Sequence, residues 1–263
     1  MAAGKSEDIA LAVSTVIFAL HAEAPQARPS LHLPLVRRIR EPFAGRWALP
    51  GGPLLPQEGL SAAAARNLQQ TTGLRPGYLE QLYAFGDPDR SPSAGRMVSV
   101  VYWALVHADA VTDTSSDENV RWFAADDLPS LAFDHNLIVE YALWRLRNKM
   151  EYSRIAHAML GETFTLSELR QVYEAVLRKP LDPANFRRQV EASGALVATD
   201  SVVTGGRHRP PRLYRYNDAV DMTDNGPLTD IPQHPPPHGA GSADLPDPTD
   251  PTPLNDPTDR SDL

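Results

Sequence analysis

The 263-residue chain contains no cysteine. Disulfide scaffolds, thiolate metal sites and cysteine nucleophiles are therefore excluded, and the composition suits a reducing compartment. Long apolar runs are missing as well: no stretch approaches the roughly 20 consecutive apolar residues that a membrane-spanning helix needs. The opening residues MAAGKSEDIA lack the apolar segment and small-residue cleavage site of a secretory signal. The expectation is a cytoplasmic protein with no membrane partner. Aromatic residues are sparse at 7%, yet the hydrophobic fraction of 42% is that of an ordinary globular protein. The length accommodates two compact domains, each with its own core.

Positive charge is scarce overall, with 25 Lys and Arg against 33 Asp and Glu, a net charge of −8. The deficit is local. Residues 223–263 hold eight Asp and one basic residue, Arg260, for −7, so everything before them sums to −1. Between Arg178 and Arg215 the balance reverses: eight Lys or Arg face Asp182, Glu191 and Asp200, giving +5. A cluster of that kind is an electrostatic footprint for phosphates even in an acidic chain.

Hydrophobic patterning divides the chain into four parts. Residues 1–135 carry β-type runs at 11–20, 31–39, 78–85, 97–106 and 120–123, interrupted by a helical stretch at 60–72. Residues 136–160 read as a helical linker, because apolar residues recur at helical spacing from 134 to 159 without Pro or Gly. In residues 161–217, Thr165-Leu-Ser-Glu168 matches a capping box at a helix start. A second helix follows with Asp182 as N-cap, Pro183 at its first position and Gly194 at its end. Two strands, 195–203 and 212–216, flank the loop TGGRHRPP, completing the order helix, helix, β-hairpin of a winged helix. Residues 218–263 are rich in Pro, Asp, Thr and Gly. They are expected to form a disordered acidic tail, since they hold too little apolar surface to offset ordering entropy.

Residues 52–74, GPLLPQEGLSAAAARNLQQTTGL, follow a fixed-spacing pattern. They resemble the Nudix box, G-x5-E-x7-R-E-U-x-E-E-x-G-U, with Gly52, Glu58, Arg66, Leu68, Gly73 and Leu74 on pattern positions. Trp47-Ala-Leu-Pro-Gly-Gly52 is similar to the family's lead-in to the box, and Leu35-Val-Arg-Arg38 to its preceding strand. Where the pattern requires glutamates, this chain has Asn67, Gln70 and Thr71. The resemblance implies that those glutamates bind magnesium or manganese in the enzymes. Hard cations require anionic oxygen ligands, so the substitutions predict no metal, no catalytic residues and no hydrolysis here. Glu58 and Arg66 read as a structural pair holding the loop to the helix. Arg37, Arg38, Arg46 and Trp47, with Gly52, Glu58 and Arg66, are the candidate ligand-binding residues, the arginines for phosphates and the tryptophan for a base.

The second domain, with FTLSELRQVYEAVLRKPLDPANFRRQVEASGAL and a hairpin ending RLYRY, resembles the C-terminal domain of NrtR, the Nudix-related transcriptional regulators of NAD metabolism. The resemblance implies an α+β chain: a Nudix-like α/β/α sandwich with a mixed sheet, then a winged helix-turn-helix domain and the tail. It implies a homodimeric repressor of NAD biosynthesis or salvage genes that binds double-stranded operator DNA. ADP-ribose or a related nucleotide is the implied effector, and no cofactor is required. Asn185, Arg187 and Arg188 on the short helix and Arg207, His208, Arg209 and Arg212 on the wing are the candidate DNA contacts. Two alternatives stand beside this reading. One is an active pyrophosphatase using Glu41, Glu80, Asp87 or Asp89, and the other is a regulator of a sugar pathway.

Overall fold

The computed structural model describes residues 9–22, 27–73, 75–76, 78–90, 95–107, 118–152, 154–202 and 211–217. Strand β1 (Ala10–His21) organises the first domain, and its residues 13–20 are all buried. A strand covered on both faces has to be apolar throughout, which is why this segment reads as a continuous run instead of an alternation. Val16, Phe18 and Leu20 point into the larger core, while Ile17 and Ala19 point to the opposite face with Leu68.

On one edge β1 runs parallel to β6 (Met97–Leu105), from Ala10 opposite Met97 to Phe18 opposite Leu105. Strand β5 (Tyr78–Phe85) closes that side as an antiparallel edge. The other edge of β1 is shared. Its first residues pair with β4 (Gly51–Pro53) and its last with β2 (Ser30–Arg37). β2 in turn carries β3 (Trp47–Ala48) and β7 (Val120–Ala124). The two shortest strands escape a reading by alternation because two or three residues display no period.

Helix α1 (Leu60–Thr72) lies on one face, seated through Ala63, Ala64 and Leu68. Small side chains let its backbone approach the sheet, and Thr15 Oγ1 donates to the Ala64 carbonyl at 3.4 Å. Helix α2 (His135–Tyr152) covers the other face with Ile138, Val139, Ala142, Leu143, Leu146 and Met150. The segment expected to bridge the domains as one helix is thus part of the core. The helix also stops at Tyr152, and a 3-10 turn (Arg154–Met159) replaces its expected end, burying Ile155, Ala156, Ala158 and Met159 close together.

In the second domain, α3 (Leu166–Leu177) begins at the expected capping box: Thr165 Oγ1 accepts from Glu168 N at 3.1 Å, and Glu168 Oε2 accepts from Thr165 N at 2.7 Å. Helix α4 (Pro183–Ala192) has Asp182 as N-cap, and Gly194 takes φ 64 beyond its end. β8 (Leu196–Val202) and β9 (Arg212–Tyr216) form the hairpin, tied to the start of the domain by paired backbone bonds between Phe164 and Tyr214. One apolar cluster runs from β1 and β2 through α2 to Leu169, Val172, Tyr173 and Val176 of α3 and Phe186 and Val190 of α4. Residues 218–263 lie outside the described residues, as do Arg207, His208 and Arg209.

Candidate functional site

The box helix lies beside the point where β1 exchanges one neighbour for the other. Gly51 makes the closest approach: a Cβ there would stand 2.8 Å from the Val13 carbonyl oxygen and 2.9 Å from Ser14 Oγ. Gly52 occupies the pattern position, but its added Cβ would meet Asn67 Oδ1 only at 3.7 Å, an ordinary contact. The packing therefore demands glycine at Gly51, one residue before the position singled out by the spacing.

Glu58 and Arg66 form the expected pair, with Arg66 Nε at 3.0 Å and Nη2 at 2.6 Å from the two carboxylate oxygens. Glu58 also accepts from Leu55 N at 3.0 Å, closing the loop onto the helix. The Arg66 hydrogen bonds and the Leu55 amide hold the Glu58 carboxyl below the usual range. The neutral residues in the box have found local work. Asn67 is 4% exposed, and its amide donates to the Val13 carbonyl at 3.0 Å. The remaining Arg66 nitrogen donates to Asn67 Oδ1 at 3.1 Å and to Gln70 Oε1 at 3.4 Å. The oxygens at two positions where the box pattern has glutamate thus face an internal guanidinium. Among the described residues, no group of three His, Asp or Glu side chains is arranged to hold a metal ion. Glu80, one of the alternative carboxylates, pairs with Lys149 of α2.

The second group of candidates lies on the loop joining β2 to β3. Arg38 and Arg46 close its base through Arg38 N to Arg46 O at 2.9 Å and Gly45 N to Arg38 O at 2.7 Å. Each guanidinium has a partner within this region. Arg37 Nε donates to Gly45 O at 3.3 Å, Arg38 Nε donates to Pro42 O at 2.8 Å and stacks on Phe133 at 4.6 Å, and Arg46 lies 5.6 Å from the Phe43 ring. Trp47 is half-buried, edge-on to Phe123 at 5.1 Å with Arg121 over its ring at 5.7 Å.

Phe43 and Phe133, whose rings meet at 4.9 Å, both have left-handed backbone, φ 68 and φ 55. Two non-glycine residues in that region carry strain that the surrounding packing must hold, a feature concentrated at ligand clamps. The hold comes from a buried layer beneath. Arg90 grips Asp134 at 2.7 and 2.9 Å, and His135 Nδ1 accepts from Leu49 N at 3.0 Å. Sequence reasoning missed Phe43, Arg90, Phe133 and His135. The Arg90–Asp134 contact spans 44 residues, and no spacing rule reaches so far.

In the second domain, α4 is anchored by Phe186 and Val190, one turn apart, with Phe186 edge-on to Tyr173 at 5.5 Å. That leaves Asn185, Arg187 and Arg188 exposed together, and Arg212 exposed at the start of β9. Arg187 pairs with Glu191 at 2.9 Å along the helix. An exposed basic helix beside a hairpin is the geometry of a major-groove reader.

Two family models match the chain: the NUDIX domain over residues 14–142 and the NrtR DNA-binding winged helix domain over residues 156–216. The ADPR-responsive transcriptional repressor NtrR of Acinetobacter baylyi is 35% identical over 191 residues, covering 71% of this chain and 76% of that protein. The crystal structure of Shewanella oneidensis NrtR complexed with a 27mer DNA matches with a TM-score of 0.68 at 36% identity, covering 79% of this chain and 93% of that one. The ADP-ribose pyrophosphatase of Methanocaldococcus jannaschii is 33% identical over 112 residues, 42% of this chain and 66% of that protein. With both domain models matched and the A. baylyi and S. oneidensis relatives covered over most of their length, the chain belongs to the NrtR family.

Proposed function

We propose that this chain is an ADP-ribose-responsive transcriptional repressor whose Nudix domain binds the nucleotide without hydrolysing it. One observation carries the reading. A box helix with Asn67, Gln70 and Thr71 at the carboxylate positions shares a chain with an exposed basic helix, and the A. baylyi repressor is similar across both domains. Without carboxylates at those three positions the box helix lacks the anionic oxygens that hold a divalent cation and stabilise charge at a diphosphate. Nucleotide binding then falls to the region of Arg37, Arg46 and Trp47, with Arg38, Gly52, Glu58 and Arg66 shaping its walls. Asn185, Arg187, Arg188 and Arg212, together with Arg207, His208 and Arg209, contact operator DNA. A single reading head buries modest surface, so the protein acts as a homodimer on a near-palindromic site. The targets are genes of NAD biosynthesis or salvage, by the family resemblance.

The test is fluorescence anisotropy with promoter DNA of such genes, against random-sequence competitor, with and without ADP-ribose. Specific binding that ADP-ribose weakens equally in magnesium and in EDTA is the expected result. No preference over random DNA overturns the assignment. Magnesium-dependent release of AMP from ADP-ribose would favour the reading supplied by the M. jannaschii pyrophosphatase.

A further inference from the structure

The apolar core is continuous between the domains, and polar bonds add direction to its packing. Beside the buried bond from Tyr173 Oη to the Met150 carbonyl at 3.3 Å, a small polar cluster crosses this joint. Asp126 lies just past β7, in a turn closed by Asp127 N donating to Ala124 O at 3.1 Å. One of its carboxylate oxygens accepts from Arg147 of α2 at 2.9 Å, and the other faces Arg178 Nε at 3.4 Å. Arg147 reaches on to the last turn of α3, where its Nε donates to the Val176 carbonyl at 3.0 Å. Arg178 is the C-cap of α3 and has left-handed backbone, φ 53, where glycine would be at ease. Asp126 therefore joins three elements with charge-assisted, directional bonds: the end of β7, the middle of α2 and the C-terminus of α3.

Both sides of this joint lead to a candidate site. Toward the first domain, Phe123 is three residues before Asp126 and packs against Trp47. Toward the second, Glu174 Oε1 accepts from Leu181 N at 2.8 Å and from Arg170 at 2.7 Å, so the connection from Arg178 to the Asp182 cap is held to α3 as one body with α4. Asp126 thus stands on an unbroken run of contacts from β7 to the reading helix.

We infer that Asp126 is a positioning residue: it sets the orientation of α3 and α4 against the Nudix domain and passes the state of the nucleotide region to the DNA-reading helix. The role rests on the repressor reading above. Transmission of this kind requires differential contacts in two arrangements of one element. The Asp126 bonds to Arg147 and Arg178 are the contacts that differ, kept in one arrangement and broken in the other.

The experiment uses the full chain with Asp126→Asn, which keeps the shape and removes the charge, and with Arg178→Gly. The glycine removes the second link while relieving the left-handed backbone, so loss of fold does not explain its effect. Since the chain has no cysteine, Gln69→Cys on α1 and Gln189→Cys on α4 take a spin-label pair on two exposed positions. The expected result is a broader distance distribution between the labels in both variants, even without nucleotide. Distributions matching the parent overturn the inference. In anisotropy, both variants should bind ADP-ribose within about twofold of the parent while its effect on DNA affinity shrinks to under about twofold. An undiminished effect also overturns the inference. If ADP-ribose leaves the parent's DNA affinity unchanged, the repressor reading fails, and the distance distribution alone decides the role of Asp126 as a joint.

Discussion

The imidazole of His135 is buried, and burial pushes its pKa down to about 4; Asp134 opposes the shift, and Arg90 and Arg38 add to it. In the folded chain it stays neutral and accepts from Leu49 N. The unfolded chain regains an ordinary histidine near 6.5 and takes up a proton that the fold refuses. Stability is therefore full above pH ~6.5 and falls as the pH drops toward 4. Between pH 7 and 5 the loss from this one group is about 2 kcal/mol. Urea unfolding of the parent and of His135→Gln checks it: the parent should lose more stability across that interval, and parallel pH profiles would refute the assignment. At this scale the sequence was partly legible. The Glu58–Arg66 pair is the one the Nudix resemblance implies, and it is present. The Asn67 amide answering the Val13 carbonyl joins residues 54 apart, and only the sheet brings them together. Arg38, a candidate for phosphates, also donates its Nε to Pro42 and stacks on Phe133, contacts invisible until the loop is folded.

Elements were more legible than contacts wherever local chemistry set their limits. Helix α1 follows the 60–72 reading, and α3 and α4 begin at the caps that the sequence displays. Such ends are written within four residues of one another. Helix α2 was misjudged at its far end, since apolar spacing continues through the tighter 3-10 turn. The capping box gives a direct test. Thr165→Ala removes the acceptor of Glu168 N and should cost about 1 kcal/mol. For a chain of this size that is roughly 2–4 °C in Tm, measurable by thermal melting. A Tm unchanged within error would mean that the Phe164–Tyr214 backbone pairing alone fixes the start of α3.

For the molecule as a whole, charge is distributed against its own DNA-reading face. Removing residues 223–263 takes away −7 of the −8 and leaves −1. DNA affinity should then rise at low salt, for operator and random sequence alike, because long-range repulsion is lost. The advantage should shrink as salt increases, and equal affinities of full-length and shortened chains in 50 mM salt would count against it. The two-domain plan was readable from patterning, but the merging of both domains into one apolar cluster was not, because it depends on which face α2 turns to each neighbour. The shared strand β1 also dictates an order of assembly. One edge of β1 meets β2 and β4 early, but its parallel partner β6 comes far later in the chain, Ala10 pairing with Met97 and Phe18 with Leu105, so a nascent chain emerging from the ribosome holds that other edge open until residue 105 has been made. Helices α3 and α4 find their partners within about 50 residues, and α2, which packs on their buried face, has already been made when they emerge. Molecular chaperones that recognise open apolar strand edges would find the β6-facing edge of residues 10–18 available through that interval.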